Sequence, residues 1–332
     1  MRCSQSEKQE VIRVVEDSQI GVKRTLQELN INRSTFYLWY QRYRELGYDG
    51  LAARASSRRR FWNAIPPWER QKVVEIALEH TEKTPRELAW QITDQRGYFI
   101  SESTVYRILK ANDLIASPAF TVLTARDKFV QPTTRIHELW QTDFTYLKVV
   151  QWGWYFLSTV LDDYSRYILS WRLCSGMATS DVKETVEEAI AVSGVGDARV
   201  VVRPRLLSDN GPCYISGELK TYLSDQDIGH VRCKPFHPMT QGKIERYHRS
   251  MKNIILLEHY YSPEELRTRI GAFVDYYNNE RYHESLNNVT PADVYFGRSQ
   301  EILERRKQIK ERTLKLRRKL YRKMIANAQT VY

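Results

Sequence analysis

Near position 137 the residue pattern changes period, and that change limits the folds open to this chain more than any other feature. Beyond it, "ELWQTDFTYLKVV", "WYFLSTVLDD" and "YILSWRLCS" are aromatic and β-branched runs separated by short turns. Such runs predict an antiparallel meander of three strands. "TSDVKETVEEAIAVSG" then reads as a helix capped by Thr179 or Ser180, "VVRPRLLS" as a strand, "ISGELKTYLSDQ" as a helix and "GHVRCKP" as a strand. A long helix begins near Gln241. Three strands, helix, strand, helix, strand, helix is the order of a mixed α/β layer fold.

The first ~110 residues follow a helical period instead. In "NRSTFYLWYQRYREL", Phe36, Trp39, Tyr40, Tyr43 and Leu46 fall on one face, with Asn32 placed to cap the helix. The opposite face carries Arg33, Ser34, Tyr37, Gln41 and Arg44. With "SEKQEVIRVVED" and "GVKRTLQELN" ahead of it, this is a helix–turn–helix whose third helix presents Arg33, Ser34, Thr35 and Tyr37 as candidate DNA contacts. The aromatic stripe itself reads as core. A partial echo follows at "TPRELAWQITDQ" and "SESTVYRILKAND", where Thr84, Pro85 and Glu87 supply N-cap, N1 proline and N3 glutamate. Ser103, Thr104 and Tyr106 repeat the places of Ser34, Thr35 and Tyr37, so Ser103 and Thr104 join the candidate contacts. Arg58, Arg59 and Arg60 make a basic linker suited to a phosphate track or minor groove; a solvated linker reads equally well. The boundaries are 1–50 and 66–115 for the two units, 51–65 and 116–136 for linkers, 137–297 for the α/β core, and 298–332 for a basic tail.

The formal net charge of +11 over 332 residues points to a polyanionic partner. Residues 301–323 hold eleven Lys or Arg against three Glu, a local net of +8. Such a run is either a solvated helix or one that grips a phosphate backbone without reading sequence. Ile302, Ile309 and Leu316 repeat every seven residues there, with Leu320 beside them, a faint seam for self-association. Packing on the chain's own core is the plainer reading of that seam.

Four cysteines, Cys3, Cys174, Cys213 and Cys233, form no C-x-x-C pair, and no His pair has zinc-finger spacing. No apolar run reaches 18 residues, and no signal-peptide core follows Met1, so the expectation is a soluble cytoplasmic protein with no membrane partner. The "GK" at 242–243 is not a phosphate-binding loop, because position 237, where the first glycine would stand, is His; no nucleotide cofactor is expected.

Placed on this map, Asp143 lies within the first strand, Asp209 follows the fourth in "SDNGPCYIS", and Glu245 sits in the first turns of the last helix, "QGKIERYHRS". α/β folds assemble sites from separated elements at one sheet edge. Three hard oxygen donors with open positions suit Mg²⁺ or Mn²⁺. Two such ions about 3.5–4 Å apart would serve phosphodiester chemistry without a protein nucleophile. Arg249 and Lys252 stand at i+4 and i+7 from Glu245 and share its face. Asn210, Gly211, Lys243, Arg249 and Lys252 are candidate DNA contacts around the carboxylates. Asp162 and Asp163 in "LDDYSR" read as a structural turn with Arg166, and His237 and Thr240 as DNA contacts or loop anchors.

"WQTDFTYL", "TVLDDYSRY", "SDNGPCYIS", "HPMTQGKIERYHRSMK" and "YNNERYHESLNNVTPADVYFG" together resemble bacterial insertion-sequence transposases with a retroviral-integrase-type core. The resemblance spans roughly 137–297 in order, spacing and flanking residues. It implies a ribonuclease-H-like mixed-sheet core preceded by all-α helix–turn–helix units. Asp143, Asp209 and Glu245 become its D, D, E triad, with metal-dependent 3′-end cleavage and strand transfer of the element's DNA. It also implies double-stranded DNA as partner, both element ends and target, and at least a dimer to hold two ends at once. No His/Cys zinc module precedes the core, so end recognition falls to the helix–turn–helix units.

Two other classes use parts of the same pattern. A hydrolytic ribonuclease-H-like nuclease would use the same metals but would not need two end-binding modules. A transposase-derived DNA-binding regulator would keep the helices and lose the chemistry, and the presence of all three carboxylates argues against it.

Overall fold

The computed structural model describes residues 5–18, 20–52, 61–81, 83–112, 114–115, 133–197, 203–232 and 241–329. Arg58, Arg59, Arg60, His237 and Thr240 lie outside the described residues, as do Cys3 and Cys233. The chain divides into two compact units, Met1–Ala64 and Ile65–Tyr332.

The first unit packs α1 (Gln5–Asp17), α2 (Val22–Glu28) and α3 (Arg33–Leu46), closed by a 3-10 turn at Gly47–Leu51. Its core is Ile12, Val15, Leu26, Phe36 and Leu51, with Trp39, Tyr40 and Tyr43 packed against it. The predicted stripe is therefore core, except at its end. Leu46 is 67% exposed, because α3 stops there at Gly47 (φ 62°), and Leu51 fills the interior instead. Asn32 caps α3 as expected, accepting from the Ser34 N–H at 3.1 Å.

The second unit opens with α4 (Pro67–Glu79), α5 (Pro85–Arg96) and α6 (Glu102–Ala111) around Val73, Leu88, Ile92, Val105 and Leu109. The predicted capping box is present: Thr84 and Glu87 exchange bonds at the start of α5. A mixed five-stranded sheet follows, built from β1 (Leu139–Val149), β2 (Gly153–Asp162), β3 (Ile168–Cys174), β4 (Arg205–Ser208) and β5 (Gly229–Arg232). Its order is β3-β2-β1-β4-β5; the first three strands pair antiparallel, and β4 and β5 run parallel to β1. This is the expected mixed α/β layer.

Alternation along the strands divides the core in two. One face buries Trp140, Val160 and Leu206 beneath α7 (Thr179–Ser193) and α9 (Gly217–Asp225). The other buries Leu147, Val149, Leu157 and Leu161 beneath α10 (Gly242–Ile255) and α11 (Pro263–Asn279). Two details differ from the sequence reading. A separate helical turn, α8 (Pro212–Ile215), precedes α9, because Ser216 breaks the run and caps α9 through the Leu219 N–H. At α7 the N-cap position is Ala178 rather than Thr179 or Ser180: Thr179 Oγ1 donates to Cys213 O, and Asp181 accepts the Ala178 N–H. A short α12 (Pro291–Tyr295) leads into α13 (Ser299–Gln329), a helix of 31 residues.

α13 is docked within this unit. Arg306 is buried, bonding Asp94 at 2.8 and 2.6 Å, and lies 4.5 Å from the Trp90 ring centre. Thr313 accepts from the Phe99 N–H, and Arg317 bonds the Tyr98 hydroxyl and Phe99 O. The buried line is thus Arg306, Ile309, Thr313 and Arg317, while Leu316 of the seven-residue seam is 47% exposed. Of that seam only Ile309 is buried in the chain's own interior, with Ile302 and Leu320 partly buried.

Candidate functional site

Asp143 and Asp209 reach one edge through the parallel pairing of β1 and β4. Gln141 stands opposite Leu207, so two residues further along each strand the register arrives at Asp143 and Asp209. Asp143 shares the parity of Leu147 and Val149, which points it to the α10 side of the sheet. Each carboxylate is steadied by its own backbone. Asp143 Oδ1 accepts from the Phe144 N–H and Asp209 Oδ1 from the Gly211 N–H, both at 2.9 Å. A Cβ at position 211 would stand 3.0 Å from that Asp209 oxygen, so the D-N-G turn fits glycine closely. The two charges act on common neighbours. Burial, then Asp209 and, more weakly, Asp143 push the Cys213 thiol up; burial and the same two carboxylates push the Tyr214 phenol up.

α10 brings Glu245 to this edge through a set of polar anchors. Gln241 Nε2 donates to Thr142 O at 3.2 Å, and Gln141 Oε1 accepts the Ile244 N–H at 3.0 Å. His248 Nδ1 comes within 3.4 Å of Asp143 Oδ2. Glu245 lies between the last two anchors, exposed, and Cβ atoms three residues apart on a helix are about 5–6 Å apart. Ile244, Tyr247, Met251 and Ile255 hold the opposite side of α10 in the core. Among the described residues no three His, Cys, Asp or Glu side chains, these carboxylates included, are drawn together closely enough to hold a metal ion.

The cations expected around the carboxylates separate into two kinds. Lys252 is half-buried with its ammonium 4.2 Å from the Tyr146 ring centre; burial pulls its pKa down and the charge of Asp143 pulls it back up. Arg249 is exposed on the same helical face. Lys243 has a different place from the one expected. It is buried against Asp163, which also accepts from Thr133 at 2.6 Å and Gln141 at 2.7 Å. Burial and nearby Arg166 outweigh Asp163 and lower the Lys243 pKa. An ammonium held inside the fold is not available to a phosphate, so Lys243 is an anchor of α10. Asp162 and Asp163 form the structural turn read from the sequence: Asp162 accepts from Ser165 and from the His137 N–H. Gly211 is a turn residue bonded to Asp209, and Asn210 is exposed beside it.

His248 and Gln141 escaped the sequence reading. His248 carries the signal that selected Arg249 and Lys252, since it stands at i+3 from Glu245 on the same face. Gln141 lies in the quoted "WQTD" two residues before Asp143, but nothing in a glutamine announces that it joins Asp163 to α10.

The polar faces of α3 and α6 are largely exposed. Arg33 lies 5.9 Å from the Tyr37 ring centre, and Tyr37 is 46% exposed. Ser34 and Ser103 are each the second residue of α3 and α6, so the echoed tetrapeptides occupy equivalent places. Their hydroxyls are engaged locally: Ser34 Oγ donates to Asn32 Oδ1 at 2.8 Å, and Thr104 Oγ1 pairs with Ser101 Oγ at 2.8 Å. Thr35 is partly buried at the first turn of α3. Cys174 and Cys213 are buried free thiols, and the Cys174 thiol is pushed up to about 12, chiefly by burial. No helix among the described residues is long and apolar enough to cross a membrane.

Comparison with known proteins agrees with this architecture. Residues 133–238 and 226–291 each match the integrase core domain, and residues 4–52 and 35–109 match homeodomain-like domains. The Gag-Pro-Pol polyprotein of mouse mammary tumor virus (strain BR6) is 28% identical over 133 residues, 39% of this chain. The chain spans only 7% of that polyprotein's length. The transposase for insertion sequence element IS629 of Shigella sonnei is 23% identical over 288 residues, 83% of this chain and 92% of that protein. Among solved structures, the magnesium-bound catalytic core domain of HTLV-2 integrase, in its trimeric form, aligns with 48% of this chain and 97% of its own. Its TM-score is 0.39 at 21% identity. The chain therefore carries an integrase core domain together with homeodomain-like helical domains, and it has insertion-sequence transposases among its relatives.

Proposed function

We propose that the chain is a DNA transposase that binds the terminal inverted repeats of its element, cleaves their 3′ ends and transfers the strands to target DNA. The observation that carries the reading is the juxtaposition of Asp143, within β1, and Asp209, just past the end of the adjacent parallel β4, with a helix bearing Glu245 that is bonded to β1 at Gln141 and Thr142 and meets Asp143 through His248. The donor set fits Mg²⁺ or Mn²⁺. All three groups are hard carboxylate oxygens; Asp143 and Asp209 each commit Oδ1 to a backbone N–H, and Asp143 Oδ2 lies 3.4 Å from His248 Nδ1. Mg²⁺ is usually held by one or two carboxylates, with substrate phosphate oxygens and water completing the shell. Two ions bound by Asp143, Asp209 and Glu245 would lower the pKa of the attacking water or 3′-hydroxyl and offset charge on the leaving oxygen.

The chain's own residues supply the remainder. His248 positions Asp143 through its Nδ1, while Lys252 and Arg249 line the approach with positive charge for the phosphate backbone. Exposed faces of α3 and α6 meet the element ends, the N-terminal residues of each helix toward the bases. Holding two ends at once calls for at least a dimer on DNA, working on chromosomal DNA in the cytoplasm. The test is Mg²⁺-dependent joining of a labelled terminal duplex to a plasmid. Joined product supports the transposase; hydrolysis without joining supports a nuclease, and binding alone a transposase-derived regulator.

A further inference from the structure

The eleven cations of residues 301–323 do not form one uniform basic helix. Arg306 and Arg317 are buried and serve the docking of α13. In the N-terminal half, Arg305, Lys307 and Lys310 are offset by Glu301, Glu304 and Glu311. In the C-terminal half, Arg312, Lys315, Arg318, Lys319, Arg322 and Lys323 are all exposed, and no Asp or Glu follows Glu311. At 3.6 residues per turn these six fall within an arc of about 140°, facing away from the buried line of Arg306, Ile309, Thr313 and Arg317.

That stripe costs the free protein stability. It contains six like-charge pairs at i,i+3 or i,i+4 spacing, each destabilising by about 0.2–0.5 kcal/mol. A merely solvated helix would relieve this with mixed signs, as the first half of α13 does. A polyanion relieves it without any change in sequence. The six charges span about 17 Å of helix axis, along which duplex DNA offers one phosphate per about 1.7 Å.

The anchor gives the stripe an address. Thr313 and Arg317 hold Phe99, which lies two residues before Ser101, the N-cap of α6. α5 is in turn fixed to the core by Tyr276–Glu87 and Tyr282–Asp94 bonds, which leaves Ser103, Tyr106, Arg107 and Lys110 of α6 exposed. Resting on the reading of α6 as a DNA-facing helix, we propose that α6 and the C-terminal half of α13 form one duplex-binding surface. In it α6 meets the groove and the six cations grip the adjoining phosphates irrespective of sequence.

The test is the salt dependence of duplex binding by the full chain and by R312Q/K315Q/K319Q/R322Q. Four lost phosphate contacts reduce the slope of log K against log salt by about 3.6. Between 50 and 200 mM salt the unaltered chain then loses roughly 150-fold more affinity than the variant, on terminal and random duplexes alike. The half-variants R312Q/K319Q and K315Q/R322Q each give about half that change, and R305Q/K307Q, within the sign-balanced half, changes the slope by less than either. Photo-crosslinkers at positions 106 and 315 label phosphates within about one helical turn of each other. An unchanged slope in the fourfold variant, or crosslinks several turns apart, overturns the proposal while the DNA reading of α6 stands. Salt-independent binding by the unaltered chain overturns both.

Discussion

Replacing Lys243 separates its role as an anchor from a role at DNA. Its ammonium is buried against Asp163, and Lys243→Met leaves that carboxylate in the interior without its counter-charge. Removing one partner of a buried pair costs about 3–5 kcal/mol. Asp163 keeps its bonds from Thr133 and Gln141, which places the loss near the lower end, about 3 kcal/mol. With a urea m-value of about 2–3 kcal/mol/M, the unfolding midpoint falls by about 1–1.5 M. Asp163→Asn also destabilises, and the double variant loses clearly less than the two singles combined, since coupled neighbours are not additive. The second readout is the salt slope of duplex binding at a temperature where the variant is folded. An anchor leaves it unchanged, whereas a phosphate contact removes about 0.9. A variant of unaltered stability whose slope drops by about 0.9 would refute the assignment.

Asp94→Ala strands the buried Arg306 guanidinium and lowers stability by about 3–5 kcal/mol in urea unfolding, whereas a loss below 1 kcal/mol would mean that α13 is not held there. Burial, with Arg281 and Arg166 nearby, pulls the His283 imidazole down to about 3, so the folded chain keeps it neutral while the unfolded chain protonates near pH 6.5. Its contribution is intact above that pH and fades by about 1.4 kcal/mol per unit below it, so His283→Phe at pH 5 narrows any deficit against the unaltered chain by about 2 kcal/mol; parallel stability–pH profiles would contradict this. Arg33→Ala costs about 1–3 kcal/mol of discrimination between terminal and random duplex if Arg33 pairs with a guanine, measured by competition binding, and an equal loss on both would make it a phosphate contact.

Local chemistry made much of the fold readable. Aromatic and β-branched runs between short turns gave the three-strand meander, and Asn32, Thr84 and Glu87 marked helix starts because capping is decided within four residues. Asp143 could be placed within a strand and Asp209 just after one from pattern alone, but their adjacency needed β4 to pair with β1 rather than with β3, a matter of topology. Lys243 was misread for a related reason. In sequence it is one more cation beside Glu245, and its partner Asp163 is 80 residues away. The tail posed the same difficulty: a run of eleven cations looks uniform until packing selects Arg306 and Arg317 for the interior.

The central claim is that Asp143, Asp209 and Glu245 act as one metal-dependent centre for DNA strand transfer. Its most direct test is joining of a pre-cleaved terminal duplex to plasmid in Mg²⁺ by Asp143→Asn, Asp209→Asn and Glu245→Gln, each first confirmed to bind that duplex as tightly as the unaltered chain. All three lose joining to background with binding intact. Substantial joining by any one of them would contradict the account.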